Sequence, residues 1–294
     1  FRAGTLKYKQ QLFNADVSKT LDFGLAYPAT LTFGAEYRQE DWSQGAGEPD
    51  SYFGTGSQGF GGFTPRNSGS YDRNSYAVYA GLEADITEKF SAGVAGRYED
   101  YSDFGDQVSG KLSARYAFTD AVALRGTVSS GFRAPALAQQ HYQAVTTNIT
   151  NGVAFETGTF PAAGAAAQAI GAELLKQETS LSYSLGLVLQ PIDRLYVTVD
   201  AYQIEIDDRI VLSSNLNIAG NQAAQSLLAS LGITGVTSAR YFNNAIDTRT
   251  RGVDVVGSYS IPFDASTLGL TASYNYNKTE VTRIAPNPAA LDAL

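Results

Sequence analysis

The sequence predicts an all-β fold, an antiparallel transmembrane β-barrel of which this chain supplies only a part. Apolar and polar residues alternate with a period of two in about ten segments. Several segments reach the roughly 10 residues that a tilted strand needs to cross a bilayer. The connections between segments are short and long in turn, a pattern typical of outer-membrane barrels.

The composition agrees with this class and argues against several others. Charged residues make up 17% of the chain, below the roughly 25% that is usual for soluble domains. The net charge of -8 argues against nucleic acid as a partner, because phosphate binding needs clustered Lys and Arg. Cysteine is absent, which excludes a disulfide, a thiolate metal site and a cysteine nucleophile. No apolar run approaches the ~18 residues of a spanning helix.

Ten strands follow from the alternation, since successive side chains of a strand point to opposite faces. In the first strand, over residues 13–25, the odd positions are apolar except for Lys19, whereas the even positions are mostly polar. The other predicted strands span 29–37, 76–86, 90–98, 112–118, 122–128, 181–189, 195–206, 253–261 and 268–276. We expect Leu31, Phe33, Leu185 and Leu187 to face lipid.

The predicted connections separate into two groups. Tight turns are expected at residues 27–28, 87–89, 119–120, 191–193 and 262–264. Long loops are expected at 43–70, 134–178 and 207–247, with a short one at 102–107. In outer-membrane barrels such turns lie on the periplasmic side and the loops lie outside. Residues 162–176 and 222–231 are predicted to form short helices within the extracellular loops.

One segment carries a family resemblance. Residues 124–139 read LRGTVSSGFRAPALAQ, which resembles the TonB-dependent receptor family, where a barrel strand ends in a motif of the type SGFRAPS.xQ. Ala136 stands where Ser is common. The matching positions are Ser130, Gly131, Phe132, Arg133, Ala134, Pro135 and Gln139. Segments at 35–42, 96–105, 200–210, 243–255 and 273–279 also look like family segments and follow the family's order.

The resemblance implies a barrel of about 22 strands that holds an N-terminal plug domain. Residues 1–294 would then be part of one barrel domain, with the plug, the TonB box and the final strands outside this sequence. The implied partners are TonB with ExbB and ExbD through the plug, outer-membrane lipid, and a small extracellular ligand such as a metal chelate. The implied location is the bacterial outer membrane, and the implied activity is import rather than catalysis.

Charged side chains on the polar side of the strands are the candidate lining of a solute path. They are Glu36, Arg38, Arg97, Glu99, Arg115, Arg125, Arg133, Arg249, Arg251 and Asp254. Their mixed signs predict a salt-bridge network that hydrates the lumen, sets its field or anchors the plug. Arg133 at the strand end either meets an anionic ligand or pairs inside the barrel, and we favour pairing. The candidate residues of the extracellular mouth are Trp42, Phe104, His141 and Tyr142.

Other functions have weaker support. His141 is the single histidine, and a Ser-His-Asp hydrolase would need a serine and a carboxylate beside it. The acidic residues 99, 100, 103 and 106 lack the spacing of a calcium loop, so we expect a solvated rim without metal or cofactor. A ferric siderophore importer is the leading hypothesis. The alternatives are a passive porin, a TonB-dependent importer of carbohydrate or cobalamin, and an outer-membrane enzyme such as a lipase.

Overall fold

The structure, a computed structural model, describes residues 2–52, 61–150, 153–231, 233 and 235–286. Its strands are β1 (Gly4–Leu21), β2 (Ala29–Ala46), β3 (Gly69–Asp85), β4 (Phe90–Tyr101), β5 (Gly105–Thr119), β6 (Val122–Arg133), β7 (Ala144–Thr150), β8 (Val153–Thr159), β9 (Glu178–Ile192), β10 (Leu195–Leu212), β11 (Leu216–Asn217), β12 (Val236–Arg240), β13 (Phe242–Phe263) and β14 (Ser266–Ile284). The helices are α1 (Pro49–Tyr52), α2 (Leu137–His141), α3 (Ala165–Gln168) and α4 (Gln222–Ser230), with a 3-10 turn at Pro65–Asn67.

Ten strands form one antiparallel sheet in the order β1-β2-β3-β4-β5-β6-β9-β10-β13-β14. The predicted all-β, antiparallel architecture and the ten predicted strands are therefore confirmed. Several strands are longer than predicted at the loop end, and β1 begins at Gly4 and ends at Leu21. The chain then turns through Gly24, whose φ of 71° is a conformation that suits glycine. No helix among the described residues has the length and hydropathy to span a membrane.

The register gives the large sheet two distinct faces. Leu82 lies opposite Val94, and Val94 lies opposite Leu112. We call the side that carries these three residues the apolar face and the opposite side the polar face. Leu31, Phe33, Leu185 and Leu187 also lie on the apolar face, because they stand in register with Leu82, Ala80, Gly126 and Leu124 respectively. Period-two alternation therefore predicted the faces of these strands correctly.

Connections at the two ends of the sheet differ in length, as predicted. The prediction for the first connection is wrong, because β1 ends at Leu21 and not at 25, and residues 22–28 replace the tight turn expected at 27–28. Residues 86–89, 120–121, 193–194 and 264–265 make tight turns at one end. Residues 47–68, 102–104, 134–177 and 213–241 connect strands at the other end, which we call the outer end. Two of these connections fold back onto the polar face near β2 and β3, where the Tyr71 and His141 rings stack. The polar face is thus partly covered at the outer end.

The two longest connections join into a second, smaller unit, which was not predicted. Its four strands lie in the order β11-β12-β8-β7, and β12 pairs in parallel with β8. We call these strands together with α3 and α4 the cap. The cap encloses a buried hydrophobic core of Phe160, Ala166, Ala167, Ile170, Leu216, Ile218, Ala224, Leu228, Val236, Ala239 and Tyr241. A tightly packed core of this kind makes the cap a folded unit rather than a pair of independent loops.

Of the two predicted loop helices, one is present as predicted and the other is much shorter. The one at 222–231 is confirmed as α4, where the Asn221 side chain accepts a hydrogen bond from the Ala224 N–H at 2.9 Å and caps the helix. The one at 162–176 shrinks to the four residues of α3. Gly171 has a φ of 95°, a left-handed conformation that ends a helix. The Ala-rich composition favoured a longer helix than the glycine allows.

Candidate functional site

A charged network lies on the polar face near the outer end, across β2 and β4. Arg38 pairs with Glu36 at 2.8 Å, and Arg97 reaches the same Glu36 carboxylate at 3.3 Å and Glu99 at 2.5 Å. The Tyr101 hydroxyl donates to Glu99 at 3.0 Å. The structure therefore brings four of the predicted path residues together, and neighbouring charges fix the orientation of each one. Charge-assisted hydrogen bonds that form such a chain are strong and reinforce one another.

A second node, centred on Arg73, was missed by the sequence analysis. The Arg73 side chain is only 4% exposed, and its guanidinium pairs with Glu40 at 2.5 Å and with Asp103 at 3.4 Å. It also donates to the Pro135 carbonyl oxygen at 2.8 Å and lies 5.4 Å from the Tyr101 ring centroid. Arg73 and Glu40 lie in strand extensions, between the predicted strands and the predicted loop at 43–70, where no strand was predicted. Continuing the even-numbered series from Glu36 and Arg38 would have reached Glu40.

Deeper on the polar face, Arg125 bridges three strands. Its guanidinium makes two hydrogen bonds to Asp200, at 3.0 and 2.7 Å. In the register, Gly186 of β9 lies between these two residues. A Cβ on Gly186 would lie 2.0 Å from the Asp200 Oδ1, so only glycine leaves room for this ion pair. Asp254 lies opposite Asp200 on the same face and accepts a hydrogen bond from the Asn275 side chain.

The remaining predicted path residues of the polar face lie on β5 and β6. Arg115 stands directly opposite Arg125 in the register. Arg133, at the end of the family-like motif, forms a bidentate pair with Glu178, in which its Nε lies 3.0 Å from the carboxylate. Glu178 also accepts from the Ile210 backbone N–H at 2.8 Å. The pairing that we favoured for Arg133 is therefore present, although its side chain remains 55% exposed.

For two predicted path residues, the predicted position on the polar face is wrong. Arg249 and Arg251 stand opposite Glu205 and Gln203 in the register and share their side of β13 with Val253. They therefore lie on the apolar face, at the outer end, and not with Asp254 on the polar face. The reason is the strand period itself, because odd and even positions of one strand point in opposite directions. Grouping residues by charge overrode the alternation in this strand.

The predicted mouth residues form aromatic contacts above the charged network. Trp42 stacks with Tyr71 at a centroid distance of 6.0 Å, and Tyr71 stacks with His141 at 3.7 Å. Phe104 stacks on Tyr101, and Tyr142 meets Phe63 edge-on. The structure thus unites Trp42 and His141 through Tyr71, whereas Phe104 and Tyr142 make separate contacts.

Burial tunes the titration of the two mouth residues in and beside α2. Burial lowers the pKa of His141 from its ordinary 6.5, while the Asp103 carboxylate acts in the opposite direction. Burial also raises the pKa of the Tyr142 hydroxyl. Desolvation favours the uncharged form of each group. The mouth therefore presents neutral aromatic faces near neutral pH.

The acidic residues around the turn after β4 do not converge. Glu99 belongs to the polar face, while Asp100 pairs in the register with Asp106 on the apolar side. Asp103 faces Arg73. No group of three or more His, Asp or Glu side chains is placed to hold a metal ion among the described residues.

A groove of about 600 Å³ extends along the polar face below the charged network. It is lined by Thr32, Tyr79, Glu83, Arg97, Lys111 and Ser129, among others. Hydroxyl groups and charges of both signs line it together with small residues such as Ala95 and Gly81. This arrangement can solvate a polar solute and hold it between hydrogen-bonding groups without covalent chemistry.

Comparison with known proteins identifies the architecture. The family model described as TonB dependent receptor-like, beta-barrel, matches residues 2–292. No curated protein matches the chain by sequence. Among solved structures, the siderophore receptor PirA from Pseudomonas aeruginosa has a TM-score of 0.67 at 17% identity, covering 95% of this chain and 44% of that one. The mutant ferric enterobactin receptor PfeA from the same organism has a TM-score of 0.62 at 18% identity, covering 92% and 36%.

The RagAB peptide transporter is also similar, with a TM-score of 0.59 at 14% identity, covering 95% of this chain and 30% of that one. At such identities the likeness shows the fold alone. The chain spans less than half the length of these structures. The family match over nearly the whole chain, together with the ten-stranded antiparallel sheet, places this chain in the TonB-dependent receptor-like β-barrel family.

Proposed function

We propose that this chain forms part of the outer-membrane wall of an energy-coupled importer of ferric siderophore complexes. The observation that carries the proposal is the ion-pair network of Glu36, Arg38, Arg97 and Glu99, set on the polar face below loops that fold over its outer end. The family match and the siderophore receptors among similar structures support this ligand class. The apolar face would contact lipid and the polar face would enclose the path.

The charges of the network suit a surface along which a ligand moves better than a site that binds the ligand tightly. Three arginines, at 38, 73 and 97, stand among four carboxylates, at 36, 40, 99 and 103. Each guanidinium therefore has a carboxylate partner, which lowers its attraction for a free anion. A solute can exchange hydrogen bonds along such a surface at small net cost, because a protein group replaces each lost water contact.

Recognition of the ligand is then assigned to the mouth. Trp42, Tyr71 and His141 stack in series above the network, where Trp42 is buried and Tyr71 offers an exposed ring. Aromatic faces suit ligands that carry rings of their own, such as aryl iron chelators, because offset and edge-to-face ring pairs are favourable. The mouth thus supplies affinity, whereas the path below it supplies hydration.

Energy coupling belongs to segments that this chain does not contain. In this proposal a plug domain occupies the barrel, and TonB, energised through ExbB and ExbD, acts on the plug to open the path. The polar-face charges would exchange partners with the plug as it moves. The location would be the bacterial outer membrane.

The test uses the full-length receptor that contains this chain, expressed in bacteria that lack their own siderophore receptors. Uptake of radiolabelled iron, presented with a panel of siderophores, is measured with and without TonB. The proposal expects uptake of at least one ferric complex that vanishes without TonB. Uptake that persists without TonB would favour a porin. TonB-dependent uptake of cobalamin or an oligosaccharide, without that of any ferric complex, would replace the siderophore as the ligand.

A further inference from the structure

Four stems join the cap to the large sheet, and they belong to neighbouring strands. The first connection of the cap starts after Arg133 of β6 and ends before Glu178 of β9. The second starts after Leu212 of β10 and ends before Phe242 of β13. We call the residues at these four junctions the stems. Because the sheet order is β6-β9-β10-β13, the stems stand side by side along the outer end, where one side chain can reach two of them.

The Glu178 carboxylate joins three of the stems. Its side chain is 8% exposed and forms the bidentate pair with Arg133, whose Nε lies 3.0 Å away. The same carboxylate accepts a hydrogen bond from the Ile210 backbone N–H at 2.8 Å. Backbone pairing between β9 and β10 ends at Asp207 opposite Thr179, so beyond this point the Glu178 side chain supplies the acceptor. Glu178 thus links both ends of the first connection to the stem from which the second one starts.

The Asn244 side chain joins the fourth stem to two of the others. Its amide oxygen accepts a hydrogen bond from the Lys176 N–H at 2.9 Å, and its amide nitrogen donates to the Lys176 carbonyl oxygen at 3.0 Å. The amide nitrogen also donates to the Asp208 carbonyl oxygen at 2.6 Å. A primary amide has two N–H donors, and both are used here. Asn244 of β13 therefore holds the end of the first connection against the β10 stem.

The β10 stem reaches Asn244 through a β-bulge. Residues 207 and 208 of β10 together stand opposite residue 247 of β13. Asp208 has a φ of 53°, a left-handed conformation that aspartate and asparagine adopt more readily than most residues. Its N–H donates to the Asp247 carboxylate at 2.9 Å. The extra residue of a bulge is left unpaired in the strand ladder, which leaves the Asp208 carbonyl oxygen to accept from Asn244.

We propose that Glu178 and Asn244 form a collar that fixes the seat of the cap on the barrel wall. Neither residue belongs to the cap core. The core holds the two connections to each other, whereas the collar holds both of them to the wall. The two collar residues act together, because they bind the same β10 stem at Ile210 and Asp208. Releasing that stem from one of them weakens the hold of the other.

The collar resists opening because its central group is both charged and buried. Hydrogen bonds to a carboxylate are stronger than bonds between neutral groups, and a buried carboxylate that loses its partner is strongly unfavourable. The bonds from Asn244 satisfy backbone groups of the stems, which would otherwise have to find other partners. The stems therefore move away from the wall only when several bonds break together.

Contacts on the opposite side of the cap give it a pivot. The Gln44 amide nitrogen donates to the Gln143 carbonyl oxygen at 2.5 Å, and the Arg66 guanidinium donates to the Leu231 carbonyl oxygen at 3.1 Å. These contacts join the cap to β2 and to the connection that follows β2, away from the stems. Loss of the collar should therefore tilt the cap about these contacts and leave its core intact.

The test measures hydrogen exchange of single amides in the purified full-length receptor in detergent. No ligand is present, so the outcome does not depend on the proposed import function. N244A should speed exchange of the Ile210 amide, which is bonded to Glu178, about tenfold, and E178Q should do the same to the Lys176 amide, which is bonded to Asn244. A factor of about ten follows from losing bonds that each contribute several-fold. N244D keeps the acceptor but loses both donors, so it should resemble N244A.

A distance measurement follows the seat of the cap directly. The chain has no cysteine, so cysteines introduced at two exposed positions, Ser70 of β3 and Gln168 of α3, carry spin labels. The distribution of distances between the labels should shift or broaden in N244A and in E178Q. The control is N275A, in which an asparagine of the polar face loses its bond to Asp254, and it should match the wild type.

Three results would overturn the proposal. Faster exchange that stays confined to the amides bonded to the replaced side chain would show that the two residues act separately. Equally faster exchange in the cap segments 153–159 and 236–240 would show that the two residues hold the core rather than the seat. Unchanged label distances in both variants would show that other contacts fix the cap. Unchanged heat-resistant migration of each variant on gels confirms that the barrel is folded.

Discussion

The Arg73 guanidinium donates a hydrogen bond to the Pro135 carbonyl oxygen at 2.8 Å, across a sequence separation of 62 residues. This bond ties β3 to the first residues of the long connection that leads into the cap. Pro135 ends the pairing of β6 because it has no N–H to donate. The carbonyl oxygen of the same proline accepts a hydrogen bond from the buried Arg73, so the residue that ends β6 also fixes the start of the loop.

Replacing Arg73 by Met should destabilise the outer end strongly. Glu40 is 8% exposed, and removing its partner would leave an unpaired buried carboxylate, which costs about 3–5 kcal/mol. The free energy of unfolding in urea measures the loss. R73M/E40Q should recover part of it, because the buried Glu40 charge is then removed and only the more exposed Asp103 has lost its arginine partner. A loss in R73M that E40Q leaves unchanged would contradict the assignment of the cost to Glu40.

Leu228→Ala should loosen the cap without unfolding the large sheet. Leu228 is 2% exposed in the cap core, and such a truncation costs about 2–5 kcal/mol. Because β8 and β12 pair in parallel, hydrogen exchange should accelerate together in 153–159 and 236–240. Leu231, 39% exposed near the end of the same helix, gives the matched control L231A, which should have little effect. Faster exchange restricted to α4 would show that the cap is not one cooperative unit.

The packing of α2 should weaken as pH falls. Burial lowers the pKa of His141 from 6.5, so the unfolded segment takes up a proton at a higher pH than the folded one. The stability contributed by neutral His141 is therefore complete above pH 6.5 and is lost as pH drops through that value towards the lowered pKa. Hydrogen exchange of residues 137–141, corrected for intrinsic rates, should show more frequent opening at about pH 5.5 than at about pH 7.5.

The variant H141F supplies the control for this dependence. Phenylalanine keeps a ring against Tyr71, which stacks on His141 at 3.7 Å, but it does not titrate. Opening of residues 137–141 in H141F should be independent of pH over the same range. A pH dependence equal to that of the wild type would assign the effect to another group.

Arginine substitutions along β9 should reveal a gradient with depth. Leu187→Arg should cost most, up to about 2–4 kcal/mol near the bilayer midplane, and Leu185→Arg should cost less because it lies closer to the surface. Ser184→Arg, on the polar face, should be mild. Unfolding of the full-length receptor from lipid vesicles by denaturant measures all three. Equal costs at Ser184 and Leu187 would be inconsistent with a lipid-facing β9.

The alternation of apolar and polar residues predicted the large sheet, because this pattern can be read within each strand without knowing its partners. Alternation fixes the face of Leu31 or Leu185 from neighbours in the sequence alone. It failed where the evidence is not local: β11 has two residues and β12 five, and both depend on partners far along the chain. Arg73 was missed for a related reason, since polar residues at the outer end of β3 look like loop until the register extends the strand.

Arg249 and Arg251 illustrate a different failure. Their face follows from the odd-numbered series that contains Val253, and this information was present in the sequence. The assumption that outward residues are apolar holds only within the membrane band, and charged side chains return beyond its edge. Predicting where that band ends along a strand needs the register of all three neighbouring strands.

In the proposed importer the two faces of this sheet meet different surroundings, lipid on one side and an enclosed aqueous path on the other. The most direct test places a spin label at position 184 or 185 of the full-length receptor in lipid vesicles and measures collision with oxygen and with a water-soluble nickel reagent. We predict that the label at Leu185 collides mainly with oxygen and the label at Ser184 mainly with the nickel reagent. The same collision profile at both positions would contradict it.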